Sequence, residues 1–138
     1  PHARIAVRIC SWLLENNVPG VHLLNVNFPY RVSRDTPIRV TKPGWTKFVN
    51  YVLERVDPRG RPYYWIASTL RELSEDERGT DIYALEVERA ISITPIRLDL
   101  SIFTLLEKDP SSLREEAEKA MEKLKDLVGE LEEEMSSL

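Results

Sequence analysis

One cysteine, two histidines and five glycines are all that this 138-residue chain holds of the residues most often recruited for chemistry. A single thiol, Cys10, excludes an internal disulfide and a cysteine metal cluster. Gly20, Gly44, Gly60, Gly79 and Gly129 are scattered, so neither a phosphate-cradling loop nor a dinucleotide fingerprint can be formed. His2 stands at the very start and His22 opens an apolar run, and neither has a partner at metal-ligand spacing. No apolar run approaches the ~20 residues that span a bilayer, and no secretory leader is expected. An excess of positive charge is missing too. The net charge is −4, and the segment 111–138 holds 9 acidic against 4 basic residues, which leaves the body nearly neutral. General nucleic-acid binding, which needs a basic surface, is not expected, nor is membrane association. A cytoplasmic protein is expected.

With 42% apolar and 30% charged residues, the chain has the composition of one globular domain. It opens "PHARIAVRIC" with no Met, directly in a helical pattern, as a fragment would. In "ARIAVRICSWLLENN" (3–17), Ile5, Ile9 and Leu13 recur at four-residue spacing, with Ala6, Cys10 and Leu14 beside them. That is one apolar helix face, on which Cys10 reads as a small buried hydrophobe. "NNVPG" stops the helix, and the nearly continuous apolar run "VHLLNVNFP" (21–29) reads as a strand buried on both faces. Helix, turn and strand would be the back half of a β-α-β unit.

From Tyr30 to Ser68 the pattern shortens to strands and turns. In "DPRGRPYYWI" (57–66), Asp57, Pro58 and Gly60 occupy the first, second and fourth positions of a type I turn. Apolar runs flank it, which predicts a hairpin with a four-residue connection. Phe48, Val52 and Val56 share one face, and Val49, Tyr51 and Leu53 the other. A hairpin apolar on both faces needs its own domain on one side and a second subunit on the other. "LRELSEDERG" (70–79) reads as a charged surface turn, and "TDIYALEVER" (80–89) as a short helix capped by Thr80 or Asp81, with Ile82 and Leu85 alternating inward and outward. "AISITPIRLDL" (90–100) is a strand whose second part Pro95 confines to an edge. Ser112 and Glu115 predict a capping box for a final helix over 113–137. In that helix Ala117, Met121, Leu124, Val128, Leu131 and Met135 repeat at 4, 3, 4, 3, 4, a heptad seam.

Some residues have two readings. Asn25 and Asn27 lie on one face of their strand, as structural hydrogen-bonders or as ligand contacts at a strand end. Asp81 is either a helix cap or a charge near a phosphate. Eight basic and three acidic residues between Arg31 and Arg61 are either a solvated strand edge or a phosphate-attracting surface. Tyr63, Tyr64 and Trp65 are read as the aromatic anchor of an intersubunit contact, or else as one wall of an adjacent active site.

"LLNVNFP", "DPRGRPYYWI" and "GTDIYALEVERAISITPIRLDL", in that order, resemble the carboxy-terminal half of the SurE family over roughly residues 3–100. These are stationary-phase survival proteins, divalent-metal-dependent phosphomonoesterases of nucleoside monophosphates. The resemblance implies an α/β fold: the carboxy-terminal part of a Rossmann-type three-layer architecture, with a β-hairpin extension and a long terminal helix. It implies a last helix and strand of the core (1–29), a hairpin-rich β region with a short helix (30–105) and a terminal amphipathic helix (106–138). The family holds magnesium or manganese through an Asp-Asp pair near the protein's start, with a Ser and an Asn further along. Those segments are expected to precede Pro1, and no adjacent Asp-Asp pair occurs here. The expected ligand set in this chain is therefore none, and the chain alone is expected to be inactive. The resemblance further implies homo-oligomers, dimers or tetramers, built through the hairpin and the terminal helix. The candidates are then Asn25, Asn27 and Asp81 flanking a phosphomonoester substrate, with Tyr63, Tyr64, Trp65, Met121, Leu124, Val128 and Leu131 at subunit contacts. The alternative is a non-catalytic oligomerisation module or a truncated product.

Overall fold

The computed structural model describes residues 1–45, 48–99 and 109–137. The chain forms α1 (His2–Glu15), β1 (Leu23–Asn27), β2 (Ile38–Val40), β3 (Phe48–Val56), β4 (Pro62–Leu70), a 3-10 turn (Glu75–Glu77), α2 (Asp81–Glu86), β5 (Ile91–Ile96) and α3 (Pro110–Ser136). β1, β5 and β2 make a three-stranded sheet in that order, and β3 and β4 a separate two-stranded hairpin. The architecture is the expected α/β one, with a hairpin extension and a long terminal helix. The core draws on all three expected segments, and their boundary at 105/106 lies outside the described residues.

α1 buries Ile5, Ile9 and Trp12. The large indole of Trp12, three positions after Ile9, takes the place expected of Leu13. The helix therefore turns Leu13 and Leu14 outward, and Cys10 is exposed, contrary to its reading as a buried hydrophobe. α3 seals the same core with Ala120, Leu124, Leu127, Leu131 and Met135. Their spacing of 4, 3, 4, 4 is that of a helix laid on a globular core, not of a heptad seam. Ala117 and Met121 of the expected seam are exposed, and Val128 is half-buried against the core. Leu124 and Leu131 are fully buried within the chain itself. Arg4 and Arg8 of α1 form ion pairs with Glu134 and Glu130 of α3. No capping box forms at Ser112. Asp109 is the N-cap and Pro110 the first helical residue, so Ser112 already lies in the first turn. The capping box occurs instead at Ser74 and Glu77.

β5 is the centre of the sheet, parallel to β2 and antiparallel to β1. Pro95 is tolerated there because β2 pairs only as far as Ile93. The missing N–H points to the side where the ladder has already ended. β1 is therefore an edge strand, half-exposed and antiparallel to its neighbour, not a strand buried on both faces. The hairpin has the expected strands but a five-residue connection, closed by Asp57 N–H to the Arg61 carbonyl at 2.9 Å. Within it Gly60 N–H bonds the Asp57 carbonyl at 2.9 Å, and Gly60 adopts φ +80°. Asp57 Oδ1 accepts from the N–H groups of Arg59 and Arg61, both at 2.8 Å, which adds the fifth residue to the turn. In α2, Tyr83 and Ala84 are buried rather than Ile82 and Leu85, because Thr80 caps the helix (Tyr83 N–H to Oγ1, 3.2 Å) and sets its phase. Among the described residues no helix is long and apolar enough to cross a membrane.

Candidate functional site on the sheet

Alternation along β5 separates two chemistries. Ile91 and Ile93 enter the core beneath α1 and α3, and Ser92 and Thr94 point to the other face, all four fully buried. Asn25 sits opposite Thr94 in the antiparallel register, and Asn27 opposite Ser92. Thr94 Oγ1 shares a 2.7 Å hydrogen bond with Thr41 Oγ1, just past β2. Asn27 Nδ2 donates to Ser92 Oγ at 3.4 Å. A polar row thus crosses the sheet from Asn25 and Asn27 to Thr41. Burial of the two hydroxyls demands these partners. Asn25 remains exposed at the sheet edge.

Asp81 does not join this row. Lys42 and Thr80 form an isolated parallel bridge beyond β2, so Asp81 lies three strand spacings from Asn25, about 14 Å at ~4.8 Å per strand. Its Oδ1 accepts from Gly44 N–H at 2.7 Å and from Ile82 N–H at 2.8 Å. Thr80 is the cap, and Asp81 ties the 42–45 loop to α2. Nearby, the Arg71 guanidinium forks onto Glu77 and, with the Ser74 N–H, holds its carboxyl down at about 2. The Tyr83 hydroxyl donates to Glu75 at 2.8 Å, which raises its pKa.

The three hairpin aromatics divide between two faces. Tyr63 pairs with Arg55 and Trp65 with Leu53 on one side, and Tyr64 with Glu54 on the other. All three are exposed, as are Phe48, Val49, Tyr51, Val52, Val56, Ile66 and Leu70. The basic stretch is partly neutralised, with Arg39 on Glu88 at 2.8 Å and Arg61 on Asp57 at 3.9 Å. Both histidines are structural: His2 lies edge-on to Phe28, and His22 Nδ1 accepts from Leu98 N–H at 3.2 Å.

Chemically, the row offers the amides of Asn25 and Asn27 to a polar ligand, while the buried hydroxyls of Thr41, Ser92 and Thr94 are engaged within the sheet. It contains no base to activate a hydroxyl. Among the described residues no three His, Cys, Asp or Glu side chains converge to hold a metal ion, so those residues do not fit a divalent cation. A cavity of about 220 Å³ opens between α3 and the end of β5, lined by Val21, Ile96, Leu113 and Met121 and by the Arg97–Glu116 pair at 3.0 Å. It contains no residue of the row. Sequence reasoning missed Thr41, Ser92 and Thr94, although the alternation in "AISIT" placed the last two on the face opposite the isoleucines.

No protein-family model matches the chain. Proteins described as 5'-nucleotidase SurE do resemble it. That of Hyperthermus butylicus is 43% identical over 100 residues, which is 72% of this chain and 34% of that protein. That of Thermococcus kodakarensis is 46% identical over 95 residues, covering 68% and 36% respectively. That of Methanosarcina barkeri is 45% identical over 97 residues, covering 70% and 36%. The chain therefore spans about a third of the length of the curated relatives it matches. Among solved structures, the SurE protein of Aquifex aeolicus superposes with a TM-score of 0.59 at 30% identity, covering 76% of this chain and 42% of that one.

Proposed function

The chain belongs to the SurE family, fitting the carboxy-terminal half of its members, and from that premise we propose that it is part of a divalent-metal-dependent 5'-nucleotidase. The observation that carries this reading is 43–46% identity over about 100 residues to nucleotidases of that name. The whole enzyme hydrolyses a nucleoside monophosphate or another phosphomonoester. The chemistry that a bound magnesium or manganese would supply in the whole enzyme is Lewis-acid polarisation of the phosphoryl group and activation of water. The described residues of this chain do not fit that ion, and no chemical step is routed through them. Their part is to flank and to assemble. Asn25 and Asn27 give neutral hydrogen-bonding groups beside the substrate, and the buried hydroxyls of Ser92 and Thr94 back them from within the sheet. Tyr63, Tyr64 and Trp65 present two aromatic faces for a homodimer or homotetramer. On α3, Met121 and Val128 at the margin of the core extend that contact, whereas Leu124 and Leu131 reach a partner only if the helix is exchanged between subunits.

The lack of a metal-holding cluster among the described residues also favours a second reading, a non-catalytic assembly module. Two assays separate them. The first replaces the matching region of the T. kodakarensis relative with residues of this chain and follows phosphate release from AMP with manganese. Retained turnover is expected; an assembled but inactive chimaera would favour the module. The second assays the 138-residue chain alone, beside its mass in solution. No turnover from a dimer or larger species is expected. Metal-dependent turnover by the chain alone would overturn the assignment of catalysis elsewhere, and a monomer would overturn the assembly role.

A further inference from the structure

β3 and β4 pair along nine residues each, and neither packs substantially against any other element among the described residues. At ~3.4 Å per residue the arm is about 30 Å long, so a 10° swing at its root moves its tip by ~5 Å. Among the described residues no other element holds its direction, which leaves the two legs at its root.

Both legs end on the same five residues, Glu77 to Asp81. On the incoming side Lys42 N–H donates to the Gly79 carbonyl at 3.0 Å, and Asp81 N–H donates to the Lys42 carbonyl at 2.9 Å. Two residues on, Gly44 N–H donates to the Asp81 carboxylate at 2.7 Å. A Cβ on Gly44 would stand 2.6 Å from Ile82 Cδ1, so the leg lies directly on α2. On the outgoing side Arg71, immediately after β4, forks onto both carboxylate oxygens of Glu77, with Nη1 to Oε2 at 2.9 Å. The five residues are themselves fixed. Thr80 donates from its N–H and its hydroxyl to the Glu77 carbonyl, at 3.0 and 2.8 Å, and caps α2. Gly79 makes the corner at φ +85°, a conformation that side chains disfavour. Tyr83, buried in α2, reaches back to Glu75, and α2 packs on β5.

We propose that residues 77–81 are a socket that sets the direction of the hairpin arm, with Glu77 and Asp81 as positioning residues, one for each leg. The role is geometric. A two-pronged, largely covered ion pair fixes an angle as well as holding two groups together. It gives Asp81 a role that needs no substrate, since its Oδ1 already accepts two N–H groups. The inference is independent of the nucleotidase reading, because it concerns the direction of the arm in the ligand-free chain.

Cys10 is exposed and the only cysteine, so a nitroxide there and a second at Arg59→Cys, on the turn, report the arm's direction by pulsed electron spin resonance. Diluting labelled with unlabelled chain removes distances between copies. The expected result is a single narrow distance in the otherwise native chain. The distribution should widen at least twofold in Glu77→Ala and Asp81→Ala and return towards native width in Asp81→Asn, which keeps the acceptor. Exchange of the Val52 and Ile66 amides should not change. Unchanged widths would overturn the proposal, as would widening matched by loss of the hairpin's own protection. Should Asp81→Ala unfold, Arg71→Ala, which cuts the outgoing leg without touching α2, decides the matter by the same width.

Discussion

Replacing Leu127 by alanine separates two ways of seating the terminal helix. A heptad seam leaves Leu127 off the contact line and puts Met121 on it. The structure does the opposite, with Leu127 wholly buried between α3 and the rest of the core and Met121 40% exposed. Truncating a fully enclosed leucine costs ~2–5 kcal/mol, and the core around it, with α1 on one side and the sheet on the other, argues for about 3. For a domain of this size about 3 kcal/mol lowers the melting temperature by roughly 10 °C. Met121→Ala removes a side chain that is only partly buried, and should cost under ~1 kcal/mol, or about 3 °C. Thermal melts followed by circular dichroism, at two chain concentrations tenfold apart, make the comparison. The Leu127→Ala deficit should be the same at both concentrations, because the contact lies within one chain. Equal losses for the two variants would refute intrachain seating. So would a Leu127→Ala deficit that shrinks as concentration rises, which would put the residue at an interface between copies.

Gly44→Ala should lower stability by about 1 kcal/mol, since its Cβ meets Ile82 Cδ1 at 2.6 Å and Cγ1 at 2.9 Å; adding Ile82→Val should recover part of that in a urea titration. Glu77 is ionised more readily in the folded chain than its ordinary value of 4.5 allows, because Arg71 and the Ser74 N–H hold its folded pKa at about 2. Its contribution is therefore complete above about 4.5 and is lost as pH falls through 2, so the melting gap between native chain and Glu77→Gln should be flat from pH 7 to 5 and close below. Cys10, exposed on α1, should react with one equivalent of a thiol reagent within minutes in the native chain, and slow reaction released only by denaturant would show that the helix is seated differently.

The elements of this fold were legible in the sequence wherever one physical signal acted alone. The hairpin was readable because Asp57, Pro58 and Gly60 each act on their own backbone, and Pro95 because a missing N–H has one consequence in any sheet. Phase was harder. On α1 and α3 several apolar residues compete for the core: on α1 the size of Trp12 decided the winner, and on α3 the buried line runs through Leu127 at a spacing that a strict heptad does not express. Asn25 and Asn27 were correctly placed on one face, but the hydroxyls they meet come from sixty-odd residues later in the chain. Asp81 had two readings, a helix cap or a charge near a phosphate, and the amide of Gly44 that it accepts from is a backbone group that no residue type announces.

The open edge of β1 also affects how the chain behaves in concentrated solution. Residues 22–28, "HLLNVNF", contain no Lys, Arg, Asp, Glu or Pro, and four of the seven are Leu, Val or Phe. On its outer side this strand presents a row of amides and carbonyls with no strand alongside among the described residues. Such a segment lacks the charges and prolines that usually discourage strand-to-strand addition, and it meets the requirements for stacking into fibrils. Growth of the sheet on this side would proceed outward from Leu23–Asn27. Whatever neighbour covers that edge in the cell therefore also acts as a guard against self-association.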